Sequence, residues 1–120
     1  MSIEPERWLA NLIDAARSIA DGERQEDRWL APDAHAWERP EEEISVLIDD
    51  CVFEDFILTY GGAFSLAQIN TAIALRDAVN EYCDANPGWL DPVGVLADRR
   101  WQEIREKARA FIAAFENHRP

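Results

Sequence analysis

The chain has no apolar run approaching the roughly 20 residues that a helix needs to cross a bilayer, so no membrane span is expected. Its opening residues, Met1-Ser2-Ile3-Glu4-Pro5-Glu6, lack the positive flank and apolar stretch of a secretory signal, which places the expected location in the cytoplasm. There are only two cysteines, Cys51 and Cys83, both inside helical patterns. They read as reduced, buried, small hydrophobes rather than as a redox pair or half a metal site. Histidine is equally scarce, with His35 and His118 alone, and lysine is represented by Lys107 beside eleven arginines. Positive charge is missing altogether from residues 40–75.

What is present fits one folded domain of 120 residues: 48% of the side chains are hydrophobic and 30% charged. The net charge of −12 is unevenly spread. Residues 1–60 hold 16 acidic and 5 basic side chains, whereas residues 61–120 hold 8 and 7. Nucleic-acid binding relies on cations that displace counterions, so this composition argues against it and against anionic membrane. A basic protein partner fits better, because complementary fields accelerate encounter.

Periodicity predicts an all-α bundle of about five helices. The first runs from about Pro5 to Ala20, with Trp8, Leu9, Leu12, Ile13, Ala16 and Ile19 on one face and Gly22 as its stop. Residues 23–39 have no clear pattern; Trp29, Leu30 and Trp37 are candidate anchors there. Pro40 opens a second helix with Glu41, Glu42 and Glu43 at the positive end of its dipole. Its face of Ile44, Leu47, Ile48, Cys51 and Val52 would also include Asp55. Either Asp55 is a buried carboxylate with a partner, or the helix breaks near Phe53, the less costly outcome. The run Phe56-Ile57-Leu58-Thr59-Tyr60 has strand-like composition, which leaves a short extended segment near residues 53–60 as an alternative. Gly61-Gly62 marks a turn, and Ser65 with Gln68 reads as the capping box of a third helix ending before Asn86-Pro87-Gly88. Asp91-Pro92 predicts a short helix over residues 92–97. Asp98 caps a last one carrying Trp101, Ile104, Ala108, Phe111, Ile112 and Phe115 on one face. Of the tryptophans, Trp8 and Trp101 are expected in the core, as are at least two of Trp29, Trp37 and Trp89.

Catalytic chemistry finds little to stand on. Ser65 is explained as a cap, and Gly61-Gly62 lacks the remaining glycines and the lysine of a phosphate loop, so no cofactor is expected. Asp33, His35 and Glu38, or Asp50 and Glu54 at helical spacing, could be imagined around a divalent ion. Without an accompanying histidine on that helix, a solvated acidic face is the simpler reading, and no metal is expected. The strongest pattern is non-catalytic. On a continuous helix Glu42, Glu43, Asp49, Asp50 and Glu54 fall within about 140°, opposite the apolar face, with Val46 and Phe53 projecting among them. Acid around an aromatic has the form of a binding hot spot with a charged rim. The candidate partner-binding residues are therefore Glu42, Glu43, Asp49, Asp50, Phe53 and Glu54, with Tyr60 as a further contact. The surplus apolar faces and tryptophans also admit a self-associating helical domain, a homodimer without a ligand site.

The layout resembles small acidic proteins of bacterial toxin–immunity loci and a related uncharacterised bacterial family. The shared features are the helix ending Ile48-Asp49-Asp50-Cys51, the Gly61-Gly62 turn, the long helix beginning near Ser65, and the closing helix Leu96-Ala97-Asp98-Arg99-Arg100-Trp101 through Ala108. The resemblance implies a non-enzymatic protein whose carboxylate-rich surface blocks a cationic toxin site, often a nuclease's. Asp49 and Asp50 would be the carried-over contact.

Overall fold

A computed structural model describes residues 5–33, 39–50, 53–87 and 90–116, and at residues 5, 49, 50, 60 and 61 the backbone only. Seven α-helical segments occur among these residues and no strand: α1 Pro5–Ala20, α2 Gly22–Trp29, α3 Pro40–Ser45, α4 Phe53–Tyr60, α5 Leu66–Ala85, α6 Pro92–Ala97 and α7 Arg99–Glu116. The all-α expectation holds. Helix α7 forms the centre of the bundle, packed chiefly against α1 and α5. None of the described helices is long and apolar enough to cross a membrane.

Local signals placed most of these elements. Ser65 and Gln68 form the reciprocal capping box, with Gln68 N donating to Ser65 Oγ at 3.1 Å and Ser65 N to Gln68 Oε1 at 2.9 Å. Asp91 accepts from Gly94 N at 3.3 Å and starts α6, while Asp98 accepts from Arg100 N at 2.9 Å at the head of α7.

Gly22 does not stop the chain. It is the first residue of α2, capped by Asp21, whose carboxylate accepts from Arg24 N at 3.0 Å. The last carbonyls of α1, which a helix leaves without intrahelical partners, are met from elsewhere. Gln25 Nε2 donates to Ser18 O at 2.8 Å and Ile19 O at 2.7 Å, and Arg109 donates to Ala20 O at 3.2 Å. Gln25 is wholly buried, and its Oε1 accepts from Trp101 Nε1 at 3.0 Å, so one amide joins α1, α2 and α7. Helix α2 escaped the periodicity reading because its core side consists of this glutamine and Trp29, one turn apart.

Between α3 and α4 the backbone winds as a π-helix over Val46–Asp50. A π turn accommodates more residues than an α turn, so the side chains beyond it are rotated relative to a continuous α-helix. Phe53, Phe56 and Ile57 at the start of α4 are buried, whereas Asp55 is exposed. Asp55 is therefore not a buried carboxylate; among the described residues the change of winding that accompanies its exposure lies at Val46–Asp50, upstream of the break expected near Phe53. Residues 53–60 are helix, not the extended alternative, because Phe53, Phe56 and Ile57 meet the core at i, i+3 and i+4 spacing, and burial outweighs their strand-like composition.

The core holds two aromatic clusters, one at each end of α7. Trp29 and Tyr82 flank Trp101, with ring centroids 5.8 and 5.7 Å away. At the other end Phe53 packs on Phe111 at 5.4 Å, Phe111 on Phe115 at 4.8 Å, and Phe64 on Phe115 at 4.9 Å. Phe56 bridges Trp8 and Phe64 at 5.5 and 5.9 Å. Trp101 and Trp29 are core residues and Trp8 is half-buried against the core. Trp37, Trp89 and Cys51 lie outside the described residues, and Cys83 is half-buried against the core.

Candidate interaction surface

The three glutamates that open α3 have three different fates. Glu41 faces the segment before α6: its Oε1 accepts from Leu90 N at 3.0 Å, and its Oε2 from Arg39 Nε at 2.9 Å. Arg39 in turn donates to Leu90 O at 3.1 Å, closing a clamp on one backbone unit. Glu42 is exposed. Glu43 is only 6% exposed and pairs with Arg24 of α2.

Glu43 was expected on the acidic outer face, and its burial corrects that. Burial pushes its carboxyl above the ordinary value, while Arg24 pulls it down, Asp21 pushes it up and the nearby Trp29 indole lowers it slightly. Burial dominates. Glu43 Oε2 and Trp29 Nε1 lie near each other but reach no partner in regular hydrogen-bond geometry. For an acid with a raised native pKa, the neutral form is favoured by folding. That contribution is complete below the unfolded value and fades as pH rises through the native one. Glu43→Gln is therefore expected to melt at or above the wild-type temperature at pH 7 and to flatten the pH dependence. Arg24→Ala, which strands the carboxylate, should lower the melting temperature, by less than the roughly 3–5 kcal/mol of a fully buried pair, because Arg24 is 44% exposed. Combining the two substitutions should recover much of that loss; thermal melts of all four proteins check the cycle.

Phe53 requires the second correction. Expected among the exposed acids, it is fully buried against Phe111. The projection assumed unbroken α winding, and the π segment removes that assumption. The exposed residues of α4 are Glu54, Asp55, Leu58 and Thr59. At 100° per residue Leu58 falls between Glu54 and Asp55, so an acid-flanked apolar side chain does occur on this helix, with leucine in the place expected for phenylalanine. Glu54 keeps one contact, to Arg76 of α5 at 3.4 Å. Val46, at the start of the π segment, is 39% exposed. It lines a cleft of about 130 Å³ with Ala15, Ser18, Arg24, Glu42 and Glu43. Asp49 and Asp50 belong to the same π segment, and their side chains lie outside the described residues, as does that of Tyr60.

The structure thus brings Glu42, Val46, Glu54 and Asp55 to the surface and takes Glu43 and Phe53 into the interior. Asp33 is exposed, while His35, Glu38 and His118 lie outside the described residues. Among the described residues no three histidine, cysteine, aspartate or glutamate side chains converge as a metal site would require. Elsewhere, a groove of about 400 Å³ between α5 and α7 is lined by Glu81, Glu103, Arg100 and Lys107 over Tyr82. Burial, with the Asp98 carboxylate beside it, pushes the Tyr82 phenol up to about 12, so it stays protonated at neutral pH. In comparisons with known proteins, no family model matches the chain, and no curated protein or solved structure is significantly similar to it.

Proposed function

We propose that this chain is a non-enzymatic acidic binding protein of the cytoplasm, an immunity or inhibitor type that masks a basic partner such as a nuclease toxin. The observation that carries the reading is the exposure of Glu42, Glu54 and Asp55 along a stretch, residues 40–75, without one basic side chain. Like charges held together repel one another, and a cationic partner converts that repulsion into attraction and faster encounter. Val46 supplies an apolar contact beside Glu42, and Asp49 and Asp50 sit on the backbone between the exposed acids. The immunity-type resemblance points the same way, with Asp49 and Asp50 as the carried-over contact.

Tagged wild-type protein and the variant Glu54→Lys/Asp55→Lys, each used to capture partners from the native host, test this. The wild type is expected to retain a basic protein whose binding weakens as salt rises. The variant should lose roughly tenfold or more of that affinity, the effect of about 1.4 kcal/mol. Both positions are exposed, so its circular dichroism should match wild type. Identical captured proteins for the two, or no basic protein with either, would sink the reading.

A further inference from the structure

Residues 56–75 contain no charged side chain of either sign, in a chain that is 30% charged. They comprise most of α4, the single 3₁₀ turn at Gly61–Ala63 and the first half of α5. Arg76 and Glu54, the ion pair at 3.4 Å, lie just beyond the two ends of this stretch. Helices α4 and α5 pack against each other, with that exposed pair marking where they lie side by side, so the two form a helical hairpin with its charge-free residues toward the turn. One side of the hairpin enters the core through Phe56, Ile57, Ala72 and Leu75. The other side stays open. Leu58 at 74% and Leu66 at 76% are the two most exposed large apolar side chains among the described residues. Ile69 and Ile73, three and seven residues beyond Leu66, are only partly buried and continue an apolar stripe along α5.

We propose that a second copy of this chain packs on the open side of the hairpin, hairpin against hairpin about a twofold axis. Charge selects this occupant. Two copies at −12 each repel wherever their acidic surfaces meet. Contact through residues 56–75 sets uncharged surface against uncharged surface, with Glu54, Asp55 and Arg76 left at the rim. Within residues 56–75 themselves a basic partner would find no carboxylate to pair with. A twofold contact uses the same patch on both copies, so a self-complementary neutral face is what it needs. Removing Leu58 and Leu66 from water supplies the drive, and exposed apolar side chains concentrated on one face are what interaction sites present. The acidic residues of α3 and the π segment remain outside this contact, while Glu54 and Asp55 border Leu58. The dimer is therefore told apart from a basic partner by its opposite response to salt and by its dependence on the leucines rather than on the α4 acids.

Sedimentation equilibrium of the full chain at tens of micromolar decides the matter. The wild type is expected at twice the chain mass. Leu58→Glu and Leu66→Glu should each return the mass to that of the monomer, with unchanged circular dichroism because both side chains are exposed. Leu58→Ser and Leu66→Ser repeat the test should a glutamate disturb the helix. Raising salt from about 50 mM to about 500 mM screens the repulsion between copies, so the dimer should tighten, the reverse of the response expected of a basic partner. Glu54→Lys/Asp55→Lys should leave the dimer in place. A wild type that is monomeric at every salt concentration overturns the proposal, and so does a dimer indifferent to all four leucine substitutions.

Discussion

Phe53→Ala is expected to destabilise the protein by about 3–5 kcal/mol, the range for removing a buried aromatic side chain. Phe53 has no exposed surface and packs edge-on against Phe111, which itself stacks on Phe115. Deleting the ring opens a cavity between α4 and α7 that fixed backbones cannot fully close. Had Phe53 been the aromatic centre of an exposed acidic patch, truncation would change stability by less than about 0.5 kcal/mol and would act on partner binding instead. Urea unfolding of wild type and variant separates the two readings. A midpoint shift within error would show that Phe53 does not occupy the core, and the account of the π segment would go with it. Any binding defect of this variant should follow the fraction unfolded, whereas Glu54→Lys/Asp55→Lys should impair binding in a fully folded protein.

Trp101→Ala should cost at least as much, about 3–5 kcal/mol for the ring, and adds a polar defect. Its indole is wholly buried between Trp29 and Tyr82, and its N–H is the donor to Gln25 Oε1. Losing that donor leaves a buried amide oxygen unpaired, an effect of about 1–3 kcal/mol in its own right. Trp101→Phe isolates this second part, since it keeps most of the apolar volume and removes the N–H. It is expected to be destabilised by about 1–3 kcal/mol. Gln25→Leu should also be damaging, because it orphans the indole N–H together with the Ser18 and Ile19 carbonyls. Thermal unfolding followed by tryptophan fluorescence measures these losses. If Trp101→Phe proved neutral, the Gln25–Trp101 hydrogen bond would have no part in holding α2 to α7.

Two of the exposed acids, Glu42 and Glu54, could be found in the sequence by projecting the acid-rich stretch of residues 40–75, which has no cation, onto a helix. Which carboxylates would stay exposed could not. Glu41, Glu42 and Glu43 are equivalent in composition and differ only in what the third dimension sets beside them: the Leu90 backbone, solvent, and Arg24. Leu58 was legible as an apolar residue in a strand-like run, but its exposure depended on the phase of α4.

The sequence by itself determined the helical class, the caps at Ser65, Asp91 and Asp98, and the apolar faces of α1 and α7. Those features arise from neighbours three or four residues apart, and each is complete within one turn of helix. Only the tertiary structure decided the π winding of Val46–Asp50, the burial of Phe53, the helix at Gly22–Trp29 and the inward turn of Glu43. These rest on partners far along the chain: Phe111 for Phe53, Trp101 for Gln25, Arg24 for Glu43. A helix keeps its phase only while its winding is uniform. Where packing against α7 is better with an altered turn, local periodicity no longer tells which side faces water.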